Sequence, residues 1–145
     1  MLRLQQAAFD PGAETTGFVA RAGAAGAVVT FMGLVRDTGG TLACMEIEHY
    51  PGMTERAVAA MMDQARARWH LTAALVIHRH GRLNPGEAIM MVACAALHRA
   101  EAFAAAEFLM DYLKSRAPFW KKEIGVGGAE WVAARDADEA ALGRW

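Results

Sequence analysis

The sequence predicts an α+β fold, a mainly antiparallel sheet with flanking helices, and three observations support this prediction. Two apolar, strand-like segments at 74–78 and 88–94 are joined by a stretch that contains an Asn-Pro-Gly turn signal, which predicts a long hairpin. A second pair of strands, at 27–32 and 42–50, flanks a Gly-Gly turn. Apolar residues at helical spacing occupy much of the remaining chain.

Length and composition predict one domain, residues 1–145, because 145 residues with 54% hydrophobic content suffice for a full core. Fifteen Lys and Arg nearly balance sixteen Asp and Glu, so the chain has no global field that favours nucleic acid. No apolar run approaches the ~20 residues of a membrane span, and the N-terminus lacks the apolar region of a secretion signal. We therefore expect no nucleic-acid or membrane partner, and a cytoplasmic location.

The first half of the chain is predicted to fold as helix, strand, turn and strand. Asp10 is a plausible helix cap with Pro11 at the first helical position, and the helix is expected to run to about Arg21. The strand that follows extends from 27 towards Arg36, which lies at a strand end beside the 37–41 loop. Strand 42–50 is expected to pair with it across the Gly-Gly turn.

The second half is predicted to supply two longer helices around the hairpin. The first begins with Thr54 as its cap and carries an apolar stripe that faces a sheet. The second helix spans 100–114, and its deepest face is expected to contain Phe103, Ala106, Met110 and Leu113. A short strand is expected at 129–133, before an Ala- and Glu-rich tail.

The most informative stretch of the sequence runs from Asp111 to Glu123, where a helix end, several cations and two large aromatic residues come together. Pro118 disfavours helical geometry at Ala117, so the preceding helix must end there. The break brings cations and aromatics into a basic corner that suits a phosphate or another anion, formed by Lys114, Arg116, Phe119, Trp120, Lys121 and Lys122. Alternatively, Lys114 and Arg116 only complement the helix dipole and the later lysines are solvated.

Further cations lie at the ends of predicted elements. Arg36 closes a strand, and the pair His98-Arg99 stands where a strand leads into a helix N-terminus. Taken singly, Arg36 could be a surface arginine and His98 a helix cap, whereas the combined set favours binding of phosphate oxygens. A lysine crowded by other cations has a lowered pKa, which makes it a candidate acid, base or nucleophile.

Other chemistries lack support in the sequence. Neither a phosphate-binding loop nor a dinucleotide fingerprint can be drawn through the glycines at 23–33. His78 and His80 would share a strand face, and we expect them to be partly exposed residues of that strand without a metal. Cys44 and Cys94 are expected to be small buried side chains. Ser115 is the only serine in the chain, which disfavours a serine hydrolase.

Four segments carry the most distinctive sequence of the chain: Gly26–Arg36, Glu46–Arg56, Ile77–Gly86 and Asp111–Glu123. Their most specific strings are His-Tyr-Pro-Gly-Met and Arg-Ala-Pro-Phe-Trp-Lys. These segments closely resemble the large, catalytic subunit family of molybdopterin synthase, and the resemblance runs from about Gly26 to Trp145.

The resemblance implies an αβ hammerhead-type fold and an enzyme of molybdenum cofactor biosynthesis. Such an enzyme converts cyclic pyranopterin monophosphate into molybdopterin by inserting two sulfurs. The sulfur donor is the C-terminal glycine thiocarboxylate of a small ubiquitin-like partner subunit with a Gly-Gly end, whose tail enters the large subunit. Two large subunits form a homodimer with one small subunit at each outer end, a heterotetramer. No cofactor or metal is implied for the large subunit.

The family's site residues can be matched one by one. The resemblance implies catalytic roles for Lys114 and Lys121, without indicating which lysine transfers protons and which polarises the thiocarboxylate. An arginine supplied by the neighbouring large subunit matches Arg135. The full substrate-binding set implied is Arg36, His98, Arg99, Lys114, Lys121, Lys122, Glu123 and Arg135.

Two departures from the family pattern affect loop closure and contacts with the partner's tail. The 37–41 loop is short, and 124–128 replaces a more polar stretch. The alternative function is a non-catalytic binding protein for a phosphorylated pterin or nucleotide.

Overall fold

The computed structural model describes residues 1–37, 39–133 and 136–145. The helices are α1 (Pro11–Ala20), α2 (Met53–Trp69), α3 (Arg99–Ser115) and α4 (Asp136–Ala141), followed by a 3-10 turn at Leu142–Arg144. The strands are β1 (Leu2–Gln5), β2 (Ala27–Leu34), β3 (Leu42–His49), β4 (Ala73–Arg79), β5 (Gly81–Leu83), β6 (Ala88–Ala96), β7 (Phe119–Gly125) and β8 (Gly128–Trp131). No helix in these ranges is long and apolar enough to span a membrane.

Sheet one has the strand order β1-β4-β6-β2. The hairpin predicted from the Asn-Pro-Gly turn is confirmed, since β4 and β6 are antiparallel neighbours. The N-terminal segment, expected only to be extended, forms β1 and pairs parallel to β4. Both faces of the central strands β4 and β6 are covered, which explains why β6 is apolar throughout and β4 is apolar as far as Ile77.

Alternate residues of the two central strands enter two separate cores. Leu75 and Ile77 pack with Phe18 of α1 on one face of sheet one. Val76 and Cys94 face the larger core, which also contains buried residues of α2, α3 and sheet two. Burying a side chain such as Ile77 contributes about 1.5–3 kcal/mol, so these central strands form a rigid base for the rest of the chain.

Sheet two, with the order β5-β3-β7-β8, corrects the predicted pairing of the 27–32 and 42–50 strands. β2 pairs with β6 in sheet one, whereas β3 pairs with β5 and β7. The connection changes sheets because residues after β2 stay with the other hairpin: Gly86 donates its N–H to the Val35 carbonyl at 2.8 Å. Asp37 then caps the start of β3 by accepting from the N–H groups of Thr41 and Leu42, at 3.2 Å each.

The helices begin close to their predicted starts, with two corrections. Asp10 caps α1 as expected, since its carboxylate accepts from the N–H of Gly12 at 2.8 Å. Helix α2 starts at Met53 after Gly52, and Thr54 lies inside the helix, fully buried. Phe103 was assigned to the deepest face of α3, but its side chain is 62% exposed. Ala106 and Leu113 are buried as predicted, and the other buried residues of α3 are Ala102, Ala105, Phe108 and Leu109.

Candidate functional site

A groove of ≈ 860 Å³ lies where the end of α3 meets β7. Its volume falls within the range of small-molecule pockets in proteins. Apolar side chains form much of its wall, including Phe31, Trp120 and Trp131. The charged residues that line it are Arg36, Lys114, Arg116, Lys121 and Asp138.

The predicted break at Pro118 shapes this groove. Helix α3 ends at Ser115, and the N–H groups of Arg116 and Ala117 both donate to the Tyr112 carbonyl, at 2.8 and 3.0 Å. The Pro118 carbonyl then accepts from the Thr54 hydroxyl at 3.2 Å, which fixes the turn against α2. Because β7 starts directly afterwards, a lysine on the last turn of α3 and a lysine on β7 line the same groove.

Phe119, the first residue of β7, is anchored on a buried histidine. Its ring stacks on His78 of sheet one with 3.8 Å between centroids and 12° between planes. His78 is only 1% exposed, so the expectation of a partly exposed residue is wrong for it, and its Nδ1–H donates to the Arg79 carbonyl at 2.8 Å. Burial, reinforced by the charge of Lys121, lowers the pKa of His78 to about 3. This stack ties the groove to sheet one.

Lys121 lies on the core-facing side of β7, opposite Ile47 of β3. Burial, followed by the charge of Lys114, lowers the pKa of Lys121 from 10.5 to about 8, while Asp138 acts in the opposite direction. An amine with a pKa close to neutrality can both donate and accept a proton near pH 7. Its position and pKa make Lys121 the best proton-transfer candidate in the groove.

Lys122, the next residue, lies on the other face of β7. It is opposite Glu46 and Trp131, and its ammonium group lies 4.9 Å from the centre of the Trp131 ring. Lys122 is not among the described residues that line the groove, whereas Lys121 is.

Glu123 returns to the same side of the strand as Lys121 and lines a smaller pocket of ≈ 250 Å³. Arg36 lines both this pocket and the groove, so it connects the two. Gly125 forms part of the pocket wall where β7 passes Thr41 closely.

His98 and Arg99 are not in the groove of their own chain. They line a separate cavity of ≈ 490 Å³ with Gly26 and Ala27. His98 is the residue that caps α3, but its side chain makes no capping hydrogen bond. The separation is large because Arg99 and Ser115 are the first and last of the 17 residues of α3, and such a helix is about 25 Å long.

The remaining predicted positions fall in three groups. Arg135 lies outside the residues that the structure describes. Cys44 and Cys94 are free and buried, as expected, and burial raises the pKa of Cys94 to about 12. Among the described residues, no group of three or more His, Cys, Asp or Glu is arranged to hold a metal, although the His49 and His80 rings lie 4.4 Å apart.

Asp138 is the groove residue that the sequence analysis missed. It follows Lys121 by many positions and belongs to the Ala- and Glu-rich tail, which the sequence analysis did not connect with the lysines. No local pattern connects it to the lysines, because its position depends on how α4 packs against α3.

The fold and groove together define a small α+β protein with a mainly cationic groove that is lined by two lysines. Residues 4–116 match the family model described as MoaE protein. A curated relative from Cereibacter sphaeroides, named molybdopterin synthase catalytic subunit, is 72% identical over 98% of this chain and 97% of its own. The chain belongs to the MoaE protein family.

Solved structures support the same assignment. The molybdopterin biosynthesis MoaE protein from Burkholderia ambifaria is 49% identical, with a TM-score of 0.85 over 100% of this chain and 97% of its own. A complex of subunits 1 and 2 of the molybdopterin-converting factor from Helicobacter pylori matches with a TM-score of 0.80 over 92% of this chain and 91% of its own. Its 19% identity makes this a likeness of fold alone.

Proposed function

We propose that this chain is the catalytic subunit of molybdopterin synthase, which converts cyclic pyranopterin monophosphate into molybdopterin by inserting two sulfurs. The observation that most supports this proposal is that Lys114, Lys121 and Arg36 line one groove with apolar walls. Such a groove suits a flat pterin and a phosphate on the same ligand. The enzyme belongs to molybdenum cofactor biosynthesis, and two buried free thiols agree with a reducing, cytoplasmic location.

The sulfur must come from a partner. No cysteine is among the described residues that line the groove, and both thiols of the chain are buried in the core. A small ubiquitin-like subunit with a C-terminal Gly-Gly thiocarboxylate supplies the nucleophile, and its tail occupies the groove beside the pterin. Each tail delivers one sulfur, so two tails act in turn. The thiocarboxylate sulfur forms a bond to a substrate carbon as a carbon–oxygen bond of that carbon breaks, and the oxygen leaves with the phosphate or as water. Water then hydrolyses the resulting thioester between substrate and tail, which leaves the sulfur on the substrate and releases the tail as a carboxylate.

The lysines act through charge and proton placement. Lys121, with its pKa near 8, transfers protons or polarises the thiocarboxylate carbonyl, and Lys114 takes the other role. Arg36 neutralises the phosphate and the charge that develops as its ring opens. Electrostatic stabilisation of this kind contributes about 3–4 kcal/mol for each well-placed donor.

Reconstitution tests this function. The purified chain is mixed with thiocarboxylated small subunit and cyclic pyranopterin monophosphate, and dithiolene product is measured. Lys121→Ala should lower the rate at least ~100-fold with the fold intact by circular dichroism. Arg82→Ala, an exposed cation of sheet two, is the control and should retain activity. Retention of more than about half the rate in Lys121→Ala would remove this lysine from the catalytic set.

The same reconstitution assay, applied to Lys122→Ala, tests whether Lys122 binds the substrate. If Lys122 binds substrate, as the family match implies, the substitution will raise KM. If its position under Trp131 describes its role, KM will stay unchanged and only stability will fall slightly, by about 0.5–1 kcal/mol for an exposed cation–π pair.

The position of His98 and Arg99 supports a shared site. Because α3 separates the pair from the lysines of the same chain, they can serve the pterin phosphate only from a second copy in a homodimer. Arg135, outside the described residues, is proposed to act from that copy as well.

Mixing inactive subunits distinguishes a shared site from a site within one chain. Lys121→Ala and Arg99→Ala subunits, each inactive alone, form mixed dimers in which a shared arrangement leaves one site intact. Activity should therefore return to up to half the sites of each mixed dimer. If no activity returns although mass spectrometry confirms subunit exchange, Arg99 acts within its own chain. Arg135→Ala can replace Arg99→Ala in the same experiment.

If the wild-type chain binds cyclic pyranopterin monophosphate but the reconstituted reaction forms no dithiolene product, the result would support the alternative function, a non-catalytic binding protein.

A further inference from the structure

Asp138 provides the negative charge of the groove. Among the described residues that line the groove, it is the only one with a carboxylate, whereas four lining residues are cationic: Arg36, Lys114, Arg116 and Lys121. A half-buried acid in an anion-binding groove opposes the binding of an anionic substrate. Its presence therefore requires an explanation other than substrate attraction.

Successive residues of α4 are attached to successive residues at the end of α3. The Ser115 hydroxyl donates to the Asp138 carbonyl oxygen at 2.8 Å. The Arg116 guanidinium lies 3.0 Å from the Glu139 carboxylate. Because the Ser115 hydrogen bond uses the backbone of Asp138, its carboxylate is free to face the groove.

The end of the tail is held on the same helix. Arg144 forms ion pairs with Glu107 at 2.6 Å and with Asp111 at 2.8 Å, and the indole of Trp145 donates to Asp111 at 2.8 Å. Both α4 and the residues that follow it are thus attached to α3, which gives Asp138 a defined place in the groove that Lys114 and Lys121 also line.

The charges around Lys121 come from several elements. Lys114 and Arg116 belong to the end of α3, Arg36 follows β2, and the buried, neutral His78 lies behind the strand on β4. Asp138 opposes the lowering of the Lys121 pKa that burial and Lys114 cause. Asp138 and Lys121 line the same groove, and the charge of the carboxylate acts on the lysine within it.

We propose that Asp138 is a positioning residue whose carboxylate serves as the internal counter-ion of Lys121 until the anionic substrate replaces it. The role of Asp138 in catalysis, though not its effect on the Lys121 ammonium, rests on the proposed function. Two opposite effects follow from removing the carboxylate. The Lys121 ammonium loses a stabilising charge and releases its proton at lower pH, while the substrate phosphate loses a repelling charge and binds more tightly.

The lysine content of the chain makes a direct measurement possible, because Lys114, Lys121 and Lys122 are its only lysines. Chains carrying 13C at the lysine Cε give one signal for each, assigned with single Lys→Arg variants. The signals are titrated by NMR in the wild type, in Asp138→Asn and in Asp136→Asn. The last variant is the matched control, since Asp136 is on the same helix but is exposed.

The midpoint of the Lys121 titration should fall by at least ~0.5 unit in Asp138→Asn and stay in place in Asp136→Asn. Asp138→Glu should restore the wild-type midpoint. In the reconstituted reaction, KM for the cyclic monophosphate should fall about threefold in Asp138→Asn while kcat also falls, a combination that simple loosening of α4 would not produce.

An unchanged Lys121 midpoint in a folded Asp138→Asn chain would overturn the proposal, as would an equal shift in Asp136→Asn. If Asn at 138 prevents folding, Asp138→Ser provides the same removal of charge. The titration needs neither partner nor substrate, so it is independent of the proposed function. Absence of product from the wild-type enzyme would instead refute that function.

Discussion

Acid should destabilise this protein through His78. The folded chain holds this imidazole neutral, with a pKa of about 3, whereas an unfolded chain has the ordinary value near 6.5. As the pH falls through 6.5 towards 3, the unfolded state gains a proton that the folded state excludes. The free energy of unfolding therefore decreases by up to about 1.4 kcal/mol per pH unit.

The contribution of this one residue can be isolated with His78→Asn. The Asn amide can still donate to the Arg79 carbonyl, but it does not titrate. The variant loses the stack on Phe119 and should be less stable at pH 7, by about 1–3 kcal/mol. Between about pH 7 and pH 5, however, it should lose about 2 kcal/mol less than the wild type.

Urea unfolding followed by circular dichroism, at one fixed protein concentration, gives the required free energies. His70→Asn is the matched control, because His70 is exposed and has a φ of 48°, a conformation that Asn adopts readily. This control should lose stability with pH as the wild type does. If His78→Asn follows the same curve, His78 is not kept neutral in the folded chain and the reasoning fails.

Two further predictions concern stability and the pocket wall. The double variant of Cys44 and Cys94 to Ala should lose roughly 1 kcal/mol per site yet keep its turnover, and specific inactivation by a thiol reagent of the folded enzyme would contradict this. Gly125→Ala should lower the urea midpoint, at a cost of about 1–3 kcal/mol, because a Cβ there would lie 2.6 Å from the Thr41 carbonyl oxygen. Gly127→Ala has no neighbour within 4 Å and should be neutral; equal midpoints for both variants would show that the chain relaxes freely at Gly125.

The parts of the fold that depend on local chemistry could be predicted from the sequence. Asp10 followed by Pro11 begins a helix, Pro118 ends one, and the Asn84 turn signal joins two strands, because each effect acts within a few residues. The gathering of Lys114 and Lys121 followed from such a break. The sequence therefore predicts that the two lysines lie near each other, although it does not give the shape of the groove.

Features that depend on distant partners could not be predicted in the same way. The Gly-Gly turn between the strands at 27–32 and 42–50 suggested a hairpin. The two strands pair instead with strands far along the chain, in two different sheets. Phe103 is the largest apolar residue of its turn, yet it is exposed, and the neighbouring residues Ala102 and Ala105 are buried. Asp138 reaches the groove only through tertiary contacts.

Helix α3 also fixes the spacing of the cationic residues at its two ends. It separates Arg99 at one end from Lys114 at the other, and a helix fixes both the distance and the relative direction of its two ends. One inserted or deleted residue would change the length by only about 1.5 Å but would rotate one end by about 100° relative to the other. Length changes within 99–115 should therefore be rare over evolutionary time, even though point substitutions on the exposed face are tolerated.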